Sequence, residues 1–308
     1  MADGITSIIK NLSKGRGLLA PLFMSGLLLL FPAVKSIAAV PAHLANQDAR
    51  QLKKLTAPFT FVVFGDNRTG TEVYSGLAKR TAGEKPAFVI NVGDVIKDDG
   101  NVDEWDEFVR LSAPINVPYF ISPGNHEVSD KDSQTKFKSF VQQPGNELYY
   151  SFKAGDVLFV ILDTEEPRFK SRIAGNQWVW LKGVLARSKE KYKFVFMHRP
   201  MYPYRKYGRH YEDSLNKFER DRDRLQSLFL KYKVDAVFAG HEHFYKKGER
   251  DGIVEVITGG GGAPIYTPDS EGGFYHYIRA DVSKNSVVFK VIDDKGMIRD
   301  TFNISKGD

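Results

Sequence analysis

The chain has 308 residues, 42% of them hydrophobic and 27% charged, which is typical of a folded protein with a sizeable core and excludes a disordered composition. It contains no cysteine, so disulfide bonds, thiolate metal sites and cysteine nucleophiles are excluded, and any metal must be held by nitrogen and oxygen ligands. The net charge of +6 suits anionic substrates, but no long run of lysine and arginine with interleaved aromatic residues indicates nucleic-acid binding.

Residues 1–42 are typical of a signal peptide or an N-terminal membrane anchor. Basic residues precede an apolar run at 17–34, and small residues follow it. We favour a cleaved signal peptide, because Pro21, Pro32 and several glycines weaken a membrane-spanning helix, and an uncleaved anchor is the alternative. Both predict export to the periplasm or the extracellular space, with membrane contact only through this segment.

Residues 43–57 are short and polar, and we predict a linker there, followed by a single domain at 58–308. From residue 59 onwards, apolar runs of strand length alternate with helix-like stretches. This alternation predicts an α/β domain whose strands are buried on both faces, with a hairpin at 148–163. Helical patterns cover residues 72–81, 103–111, 177–186 and 224–231.

Five of the apolar runs end in residue types that bind metals. They lead into Gly65-Asp66, Gly93-Asp94, Gly124-Asn125-His126-Glu127, His198 and Gly240-His241-Glu242-His243. Ligands gather at the carboxyl ends of the strands in open α/β sheets. Neutral imidazole is the commonest metal ligand in proteins, and its mixture with oxygen ligands suits Mn, Fe, Zn or Co rather than calcium alone. The set therefore predicts a metal centre at one edge of the sheet.

A centre of this composition suits the hydrolysis of phosphate esters. A carboxylate shared by two ions about 3.5–4 Å apart lets them bind one water and clamp a phosphoryl group. The two cations favour the hydroxide form of that water, which attacks phosphorus in line with the leaving oxygen. The leaving oxygen then needs a proton, and His126, beside the candidate ligand Asn125, is placed to supply it.

The five motifs occur in order over residues 59–245 and resemble those of the calcineurin-like metallophosphoesterases. The resemblance implies a central β-sandwich flanked by helices in α/β/β/α layers, with two metal ions at the carboxyl ends of the strands. It also implies that Asp94 bridges the two ions and that His126 is the general acid. The other implied ligands are Asp66 and His243 at the first metal, and Asn125, His198 and His241 at the second.

The first metal site departs from the family pattern. Most members carry Asp-x-His in the first motif, but Arg68 replaces that histidine here. The purple acid phosphatases also lack the histidine, so the pattern resembles their branch, yet Lys97 stands where they use a tyrosine. The first site is therefore one protein ligand short. Arg68 either competes with the ion or holds a substrate phosphate bidentately, and we favour the phosphate role, with Asn67 as a lesser contact.

Further substrate contacts are predicted at Asn125, His126 and Arg199, which lie in or beside the motifs. The segment 201–223 follows directly and is rich in arginine and tyrosine. It is either a lid whose side chains touch the substrate or a solvated loop leading into a surface helix. The candidates for an acidic partner of the catalytic histidine are Asp98 and Asp99.

These observations predict a metal-dependent phosphoric ester hydrolase that acts on a phosphorylated small molecule, with no nucleic-acid partner. We favour a phosphomonoesterase, because several cations near the site suit a phosphate dianion. A phosphodiesterase that cleaves a cyclic nucleotide or another diester is the alternative within the enzymes. A non-catalytic binding protein on the same fold is the remaining alternative, and Arg68 and Lys97 are the features that support it.

Overall fold

The computed structural model describes residues 39–307, apart from residues 48, 205–209 and 211–212. Most of the predicted signal peptide or anchor, residues 1–38, therefore lies outside the described residues. Among the described residues, no helix is both long enough and apolar enough to cross a membrane.

The described residues form twelve strands and five α-helices, which alternate in the first part of the chain and give way to six consecutive strands after the last helix. The strands are β1 Phe59–Phe64, β2 Phe88–Asn91, β3 Tyr119–Ile121, β4 Tyr150–Ala154, β5 Val157–Ile161, β6 Tyr192–Met197, β7 Ala236–Ala239, β8 Tyr245–Arg250, β9 Ile253–Thr258, β10 His276–Val282, β11 Ser286–Asp293 and β12 Ile298–Ser305. The helices are α1 Thr71–Gly83, α2 Val102–Ser112, α3 Lys131–Phe140, α4 Gly175–Arg187 and α5 Glu219–Lys231. The predicted hairpin corresponds to β4 and β5, and each predicted helix falls within α1, α2, α4 or α5.

The strands make two six-stranded mixed sheets, ordered β12-β11-β10-β1-β2-β3 and β4-β5-β6-β7-β9-β8. In the first sheet, β1, β2 and β3 are parallel, and in the second, β5, β6, β7 and β9 are parallel. The two sheets meet at their carboxyl edges, where Gly65 N donates to Thr258 O at 3.0 Å. The residues that follow these parallel strands are therefore brought to one place.

The two sheets pack face to face through an aromatic core. Phe61 of β1 stacks on Phe88 at 5.5 Å between ring centroids, and Phe159 of the opposite sheet meets Phe61 edge-on at 5.1 Å. Burying one such ring stabilises the fold by about 1.5–3 kcal/mol. On the outer faces, α1 to α3 cover the first sheet and α4 and α5 cover the second. The layers run α/β/β/α, which confirms the predicted fold class.

Residues 43–57, which the sequence predicts as a linker, pack against the domain instead. Leu44 is fully buried in the cluster beneath α1 and α2, and Tyr119 N donates to His43 O at 2.8 Å. A short 3-10 turn at Arg50–Lys54 buries Leu52. The compact unit that contains the domain begins at Ala39. Isolated leucines in a polar stretch give no periodic signal, so burial here depends on contacts with distant strands.

Candidate metal centre

The polar residues of the motifs sit in tight turns at the ends of the strands. Asp66 and Asp94 follow β1 and β2 with left-handed φ angles of 58° and 59°, and His241 follows β7 with a φ of 68°. Such angles are costly for residues other than glycine and are often found at functional sites. Gly240 is required beside them, because a Cβ there would lie 2.3 Å from Asp66 Oδ2.

The first site consists of Asp66, Asp94 and His243, whose candidate ligand atoms all lie within 4.8 Å of one another. His243 Nδ1 lies 2.9 Å from Pro264 O, so Nδ1 carries the proton and donates it. The other nitrogen, Nε2, is buried without a hydrogen-bond partner and lies 3.6 Å from Asp66 Oδ1. A lone pair that faces two carboxylates fits a bound cation.

The second site consists of Asp94, Asn125, His198 and His241. His198 Nδ1 donates to Val92 O at 2.9 Å, which leaves the Nε2 lone pair free to point into the site. Two oxygen acceptors lie around this nitrogen, Asn125 Oδ1 at 3.0 Å and Asp94 Oδ1 at 3.3 Å, and His241 Nδ1 lies 3.1 Å away. Several acceptors without a donor repel one another unless a cation lies between them. The donor set therefore fits a second ion.

The structure thus brings together all the predicted metal ligands, with Asp94 between the two sites. Its Oδ1 faces His198 at 3.3 Å, and its Oδ2 accepts from Arg68 Nε at 3.2 Å. Burial favours the neutral acid, but the nearby His198, His126 and Arg68 hold the pKa of Asp94 well below its usual value. Burial and the neighbouring Asp94 carboxylate raise the pKa of Asp66. The two carboxylates therefore repel each other, and a cation between them would relieve that repulsion.

His126 lies at the rim of the site, where its side chain is 28% exposed. Its main-chain N donates to Asp94 Oδ1 at 3.2 Å, and its Nδ1 donates to Lys97 O at 2.5 Å. Nε2 faces the site, 3.9 Å from Asp94 Oδ2. This geometry suits a group that exchanges a proton with a substrate oxygen.

Neither of the acidic partners predicted for His126, Asp98 or Asp99, contacts its ring in the structure. A main-chain carbonyl, Lys97 O, holds the imidazole. Asp98 Oδ1 instead accepts from Gly100 N at 3.0 Å, and Asp99 accepts from the Ser129 hydroxyl. The turn after β2 presents the Lys97 carbonyl to the His126 ring, and residue types alone do not reveal such a main-chain contact.

Glu127, from the same motif, fixes the turns that carry the ligands. Its carboxylate accepts main-chain N–H groups from Gly124, Asp94, Val95 and Ile96 at 2.6–3.1 Å. Burial and the nearby Asp94 nevertheless raise the pKa of Glu127 to about 8. The motif thus supplies a ligand, a candidate acid and a support for the loop after β2.

Arg68 lies against the first site and is only 13% exposed. Besides its Nε contact with Asp94, its main-chain N donates to Asp94 O at 3.0 Å. Asn67, the predicted lesser substrate contact, turns inwards: its Oδ1 accepts from Asn91 Nδ2 at 2.7 Å and it is only 4% exposed. Asn67 therefore supports the loop, and the amide faces the protein because Asn91 is buried beside it.

Arg199, the other predicted substrate contact, is also engaged inside the protein. Its side chain is 1% exposed and holds Glu165 through Nε at 2.6 Å and Nη2 at 2.9 Å. Nη1 donates to Asp213 O at 2.7 Å and also pairs with the Asp213 carboxylate. The structure thus does not match the prediction for Arg199. Glu165, from the loop after β5, binds the two guanidinium nitrogens that a phosphate would need.

Sequence analysis missed three residues near the second site: Glu165, His210 and Asp213. Asp213 Oδ2 lies 3.3 Å from His241 Nε2, and the His210 ring centroid lies 4.5 Å from that of His241. Both His210 and Asp213 belong to the segment 201–223, whose residues 205–209 and 211–212 lie outside the described part. The available signal was that a histidine ligand needs an acceptor for its second nitrogen.

A sequence model of the calcineurin-like phosphoesterases matches residues 59–245, which is more than half of the chain. This chain belongs to that family. The match contains every predicted metal ligand, from Asp66 to His243. The resemblance that the five motifs indicated is therefore confirmed.

Curated relatives include plant purple acid phosphatases. Purple acid phosphatase 23 from Arabidopsis thaliana is 31% identical over 241 residues, 73% of this chain and 48% of that protein. The Fe(3+)-Zn(2+) purple acid phosphatase 12 from the same plant is 28% identical over 248 residues, 70% of this chain and 50% of that protein. Other matched relatives are described as probable inactive purple acid phosphatases. The chain spans about half the length of the curated relatives it matches.

A purple acid phosphatase isolated from yellow lupin (Lupinus luteus) seeds has a similar solved structure. The two structures superpose with a TM-score of 0.67 at 22% sequence identity, over 81% of this chain and 54% of that one. This likeness shows the fold, and it agrees with the two sheets flanked by helices.

Proposed function

We propose that this protein is a metal-dependent phosphoric ester hydrolase that cleaves phosphomonoesters. The observation that carries the proposal is the convergence of the Nε2 lone pairs of His198 and His243 on the carboxylates of Asp94 and Asp66, with His241 Nδ1 3.1 Å from His198 Nε2. Main-chain carbonyls fix the protons of His198 and His243 on the outward nitrogens. This arrangement of neutral imidazoles and oxygen atoms suits divalent or trivalent Mn, Fe, Zn or Co.

Two bound ions would supply a nucleophile at neutral pH and would neutralise charge on the phosphoryl group. Within the chain, Asp94 would be shared by both ions, and Asn125 would orient its amide oxygen into the second site. His126 would hold its proton on Nε2 for the leaving oxygen, while the Lys97 carbonyl keeps Nδ1 protonated. Each of these roles is a prediction from the geometry.

The preference for a monoester rests on Arg68. Asp94 engages only the Nε–H of this guanidinium at 3.2 Å, among five donors in the group. A guanidinium matches two oxygens of a terminal phosphate, and the match is stronger for a dianion than for a diester monoanion. We therefore propose that Arg68 binds the terminal phosphate of the substrate and selects monoesters over diesters.

The test measures metal content and turnover in one preparation of the full-length chain. Hydrolysis of p-nitrophenyl phosphate and bis(p-nitrophenyl) phosphate is compared after loading with Mn²⁺, Zn²⁺, Co²⁺ or iron. We expect about two ions per chain and faster hydrolysis of the monoester. Arg68→Ala should raise the KM for the monoester and leave the diester KM nearly unchanged. Metal binding with faster diester hydrolysis would favour the phosphodiesterase instead.

The non-catalytic binding protein is a second candidate, because some matched relatives are described as probable inactive and Arg68 lies in contact with Asp94. It predicts a chain that binds phosphate or a phosphorylated ligand without turnover under any metal. Phosphate binding without hydrolysis, retained after chelation, would support that candidate and contradict the enzyme.

We also propose that the protein is exported, with residues 1–42 acting as a cleaved signal peptide. Support comes from the basic start and the apolar run at 17–34. Fractionation of cells that produce the full-length chain, with N-terminal sequencing of the product, tests this. A product that keeps residue 1 and sediments with membranes would favour the uncleaved anchor.

A further inference from the structure

His241 has a contact on the side away from the second site. Its Nε2 lies 3.3 Å from Asp213 Oδ2, while its Nδ1 lies 3.1 Å from His198 Nε2. A neutral imidazole carries one proton, and a carboxylate accepts it more favourably than another imidazole lone pair does. Arg199 Nη1 also lies 3.4 Å from Nε2, but its hydrogens are engaged by the main-chain oxygen and the carboxylate of Asp213. The Asp213 contact therefore puts the proton on Nε2 and leaves the Nδ1 lone pair facing the second site.

Asp213 is itself held in place by a buried ion pair. Arg199 Nη1 donates to the Asp213 main-chain oxygen at 2.7 Å and also pairs with its carboxylate. The rest of the Arg199 fork binds Glu165 at 2.6 and 2.9 Å, and both residues are 1% exposed. Asp213, with its side chain 46% exposed, is thus the outermost member of a chain that runs Glu165–Arg199–Asp213–His241.

The cluster of His210, Asp213 and His241 also has the composition of a third cation site. Arg199 argues against that use, because its guanidinium pairs with Asp213 and lies 3.4 Å from His241 Nε2. The positive charge that the cluster would attract is thus already supplied by the protein. The same charge keeps Asp213 ionised, as an acceptor for His241 must be.

We propose that Asp213 is the positioning residue for His241. It fixes the protonated nitrogen and the orientation of the ring, so that Nδ1 is ready to bind the second ion. Through Asp213, the segment after His198 would support the second site. In this proposal, this part of the segment serves as a structural contact rather than as a lid or a solvated loop. The inference rests on the metal centre of the proposed function, but its test measures metal binding rather than turnover.

The test uses the full-length chain, stripped of metal and titrated with Zn²⁺ against a competing chelator. Losing the acceptor of a histidine ligand typically costs 10–100-fold in metal affinity. We expect Asp213→Asn to lower the affinity for one of the two Zn²⁺ ions by about 10–100-fold and to leave the affinity for the other nearly unchanged. The matched control is Asp223→Asn, which removes a carboxylate that is 62% exposed and pairs with Arg222 on α5. Equal affinities for Asp213→Asn and wild type would overturn the inference.

A double variant separates positioning from a general loss of structure. If Asp213 acts through His241, then Asp213→Asn should cost nothing further in a chain that already carries His241→Ala. Additive losses would overturn the inference, since they would mean that Asp213 acts elsewhere. Unfolding of the metal-free proteins is followed in parallel, and Asp213→Glu, which keeps the acceptor charge, should recover part of the affinity if Asp213→Asn proves unstable. No recovery in a folded Asp213→Glu chain, together with an unfolded Asp213→Asn chain, would also overturn it. Failure of the wild type to bind Zn²⁺ would instead contradict the proposed function.

Discussion

The two halves of the metal centre handle a neighbouring positive charge in opposite ways. In the first site, Arg68 lies directly against the shared carboxylate, with Nε 3.2 Å from Asp94 Oδ2. In the second site, the Arg199 guanidinium also lies near the candidate ligand His241, with Nη1 3.4 Å from His241 Nε2, and Asp213 contacts both residues. Arg68 therefore pairs with the carboxylate that both sites share, whereas Arg199 pairs with a carboxylate, Asp213, that contacts a candidate ligand from outside the site.

This difference teaches that the number of ligands alone does not decide how firmly an ion is held. The first site has two carboxylates and one imidazole, and it lacks the histidine that Arg68 replaces. The second site has one shared carboxylate, an amide and two imidazoles whose orientation is fixed by Val92 O and Asp213. We expect the second ion to bind more tightly, because both of its imidazoles are oriented by hydrogen-bond acceptors and the site has one more candidate protein ligand than the first.

Asp94→Asn should weaken metal binding at both sites and so remove the difference between them, because both sites use this carboxylate. A shared anion contributes several kcal/mol of charge stabilisation, so kcat/KM for p-nitrophenyl phosphate should fall about 10³-fold or more. Metal analysis should show that both ions are weakened together. Asp132→Asn, an exposed carboxylate in the first turn of α3, is the control and should change neither quantity. Loss of only one ion would show that Asp94 is not shared.

His126→Gln should separate catalysis from metal binding. The His126 ring is held by Lys97 O at the rim rather than by the ligand set, so both ions should remain. Removing a general acid typically lowers kcat about 10²–10⁴-fold. The loss should be larger for an alkyl phosphate than for p-nitrophenyl phosphate, whose leaving group needs little protonation. Equal losses for the two substrates would contradict the acid role and leave His126 as a binding residue.

Arg68→His should make the first site resemble the second. It replaces a competing cation with an imidazole at the position where most family members carry a ligand. We expect the first ion to bind about 10–100-fold more tightly, while the KM for a phosphomonoester rises because the guanidinium is lost. Arg110→His, at a residue whose side chain is 67% exposed on α2, is the control. Tighter metal binding without a change in KM would show that Arg68 does not contact the substrate.

The sequence was sufficient to predict the fold and the convergence of the candidate ligands, because both rest on local patterns. An apolar run that ends in Gly-Asp or Gly-His specifies a strand and the turn after it, and the parallel order then brings the ends together. Alternate apolar residues of β1 and β2, namely Phe61 and Val63 and then Phe88 and Ile90, line the face between the sheets. These signals hold for Asp66, Asp94 and His243 without any knowledge of distant contacts.

The residues that the sequence placed incorrectly are those whose role depends on a distant partner. Arg199 follows a ligand and carries a suitable charge for phosphate, but Glu165, from the loop after β5, engages its fork. Asn67 faces inwards because Asn91 of the neighbouring strand donates to it. Asp213 has no motif at all and is recognised only by its distance from His241. The spacing of residues along the chain does not predict which side chains of different loops will pair.

Lowering the pH should have the smallest of these effects, a difference in metal affinity between the two sites. Burial and the Asp94 charge raise the pKa of Asp66, whereas burial lowers the pKa values of His198 and His241. A proton and a metal ion compete for the same lone pair, so a ligand with a raised pKa is lost first as the pH falls. Protonation of Asp66 should therefore weaken binding of the first ion at a higher pH than an ordinary aspartate would, whereas His198 and His241 keep their lone pairs available to the second ion below the usual histidine range.

Below the pKa of Asp66, the affinity for the first ion should decrease about tenfold per pH unit, since one proton is taken up. His243 adds to this decrease only near its own pKa, which burial lowers to about 4. Metal retained per chain after gel filtration at stepwise lower pH measures the order of release, and recovery at pH 7 excludes unfolding. Simultaneous release of both ions would contradict a difference between the sites, and earlier release of the ion that Asp213→Asn weakens would mean that the first site is the firmer of the two despite Arg68.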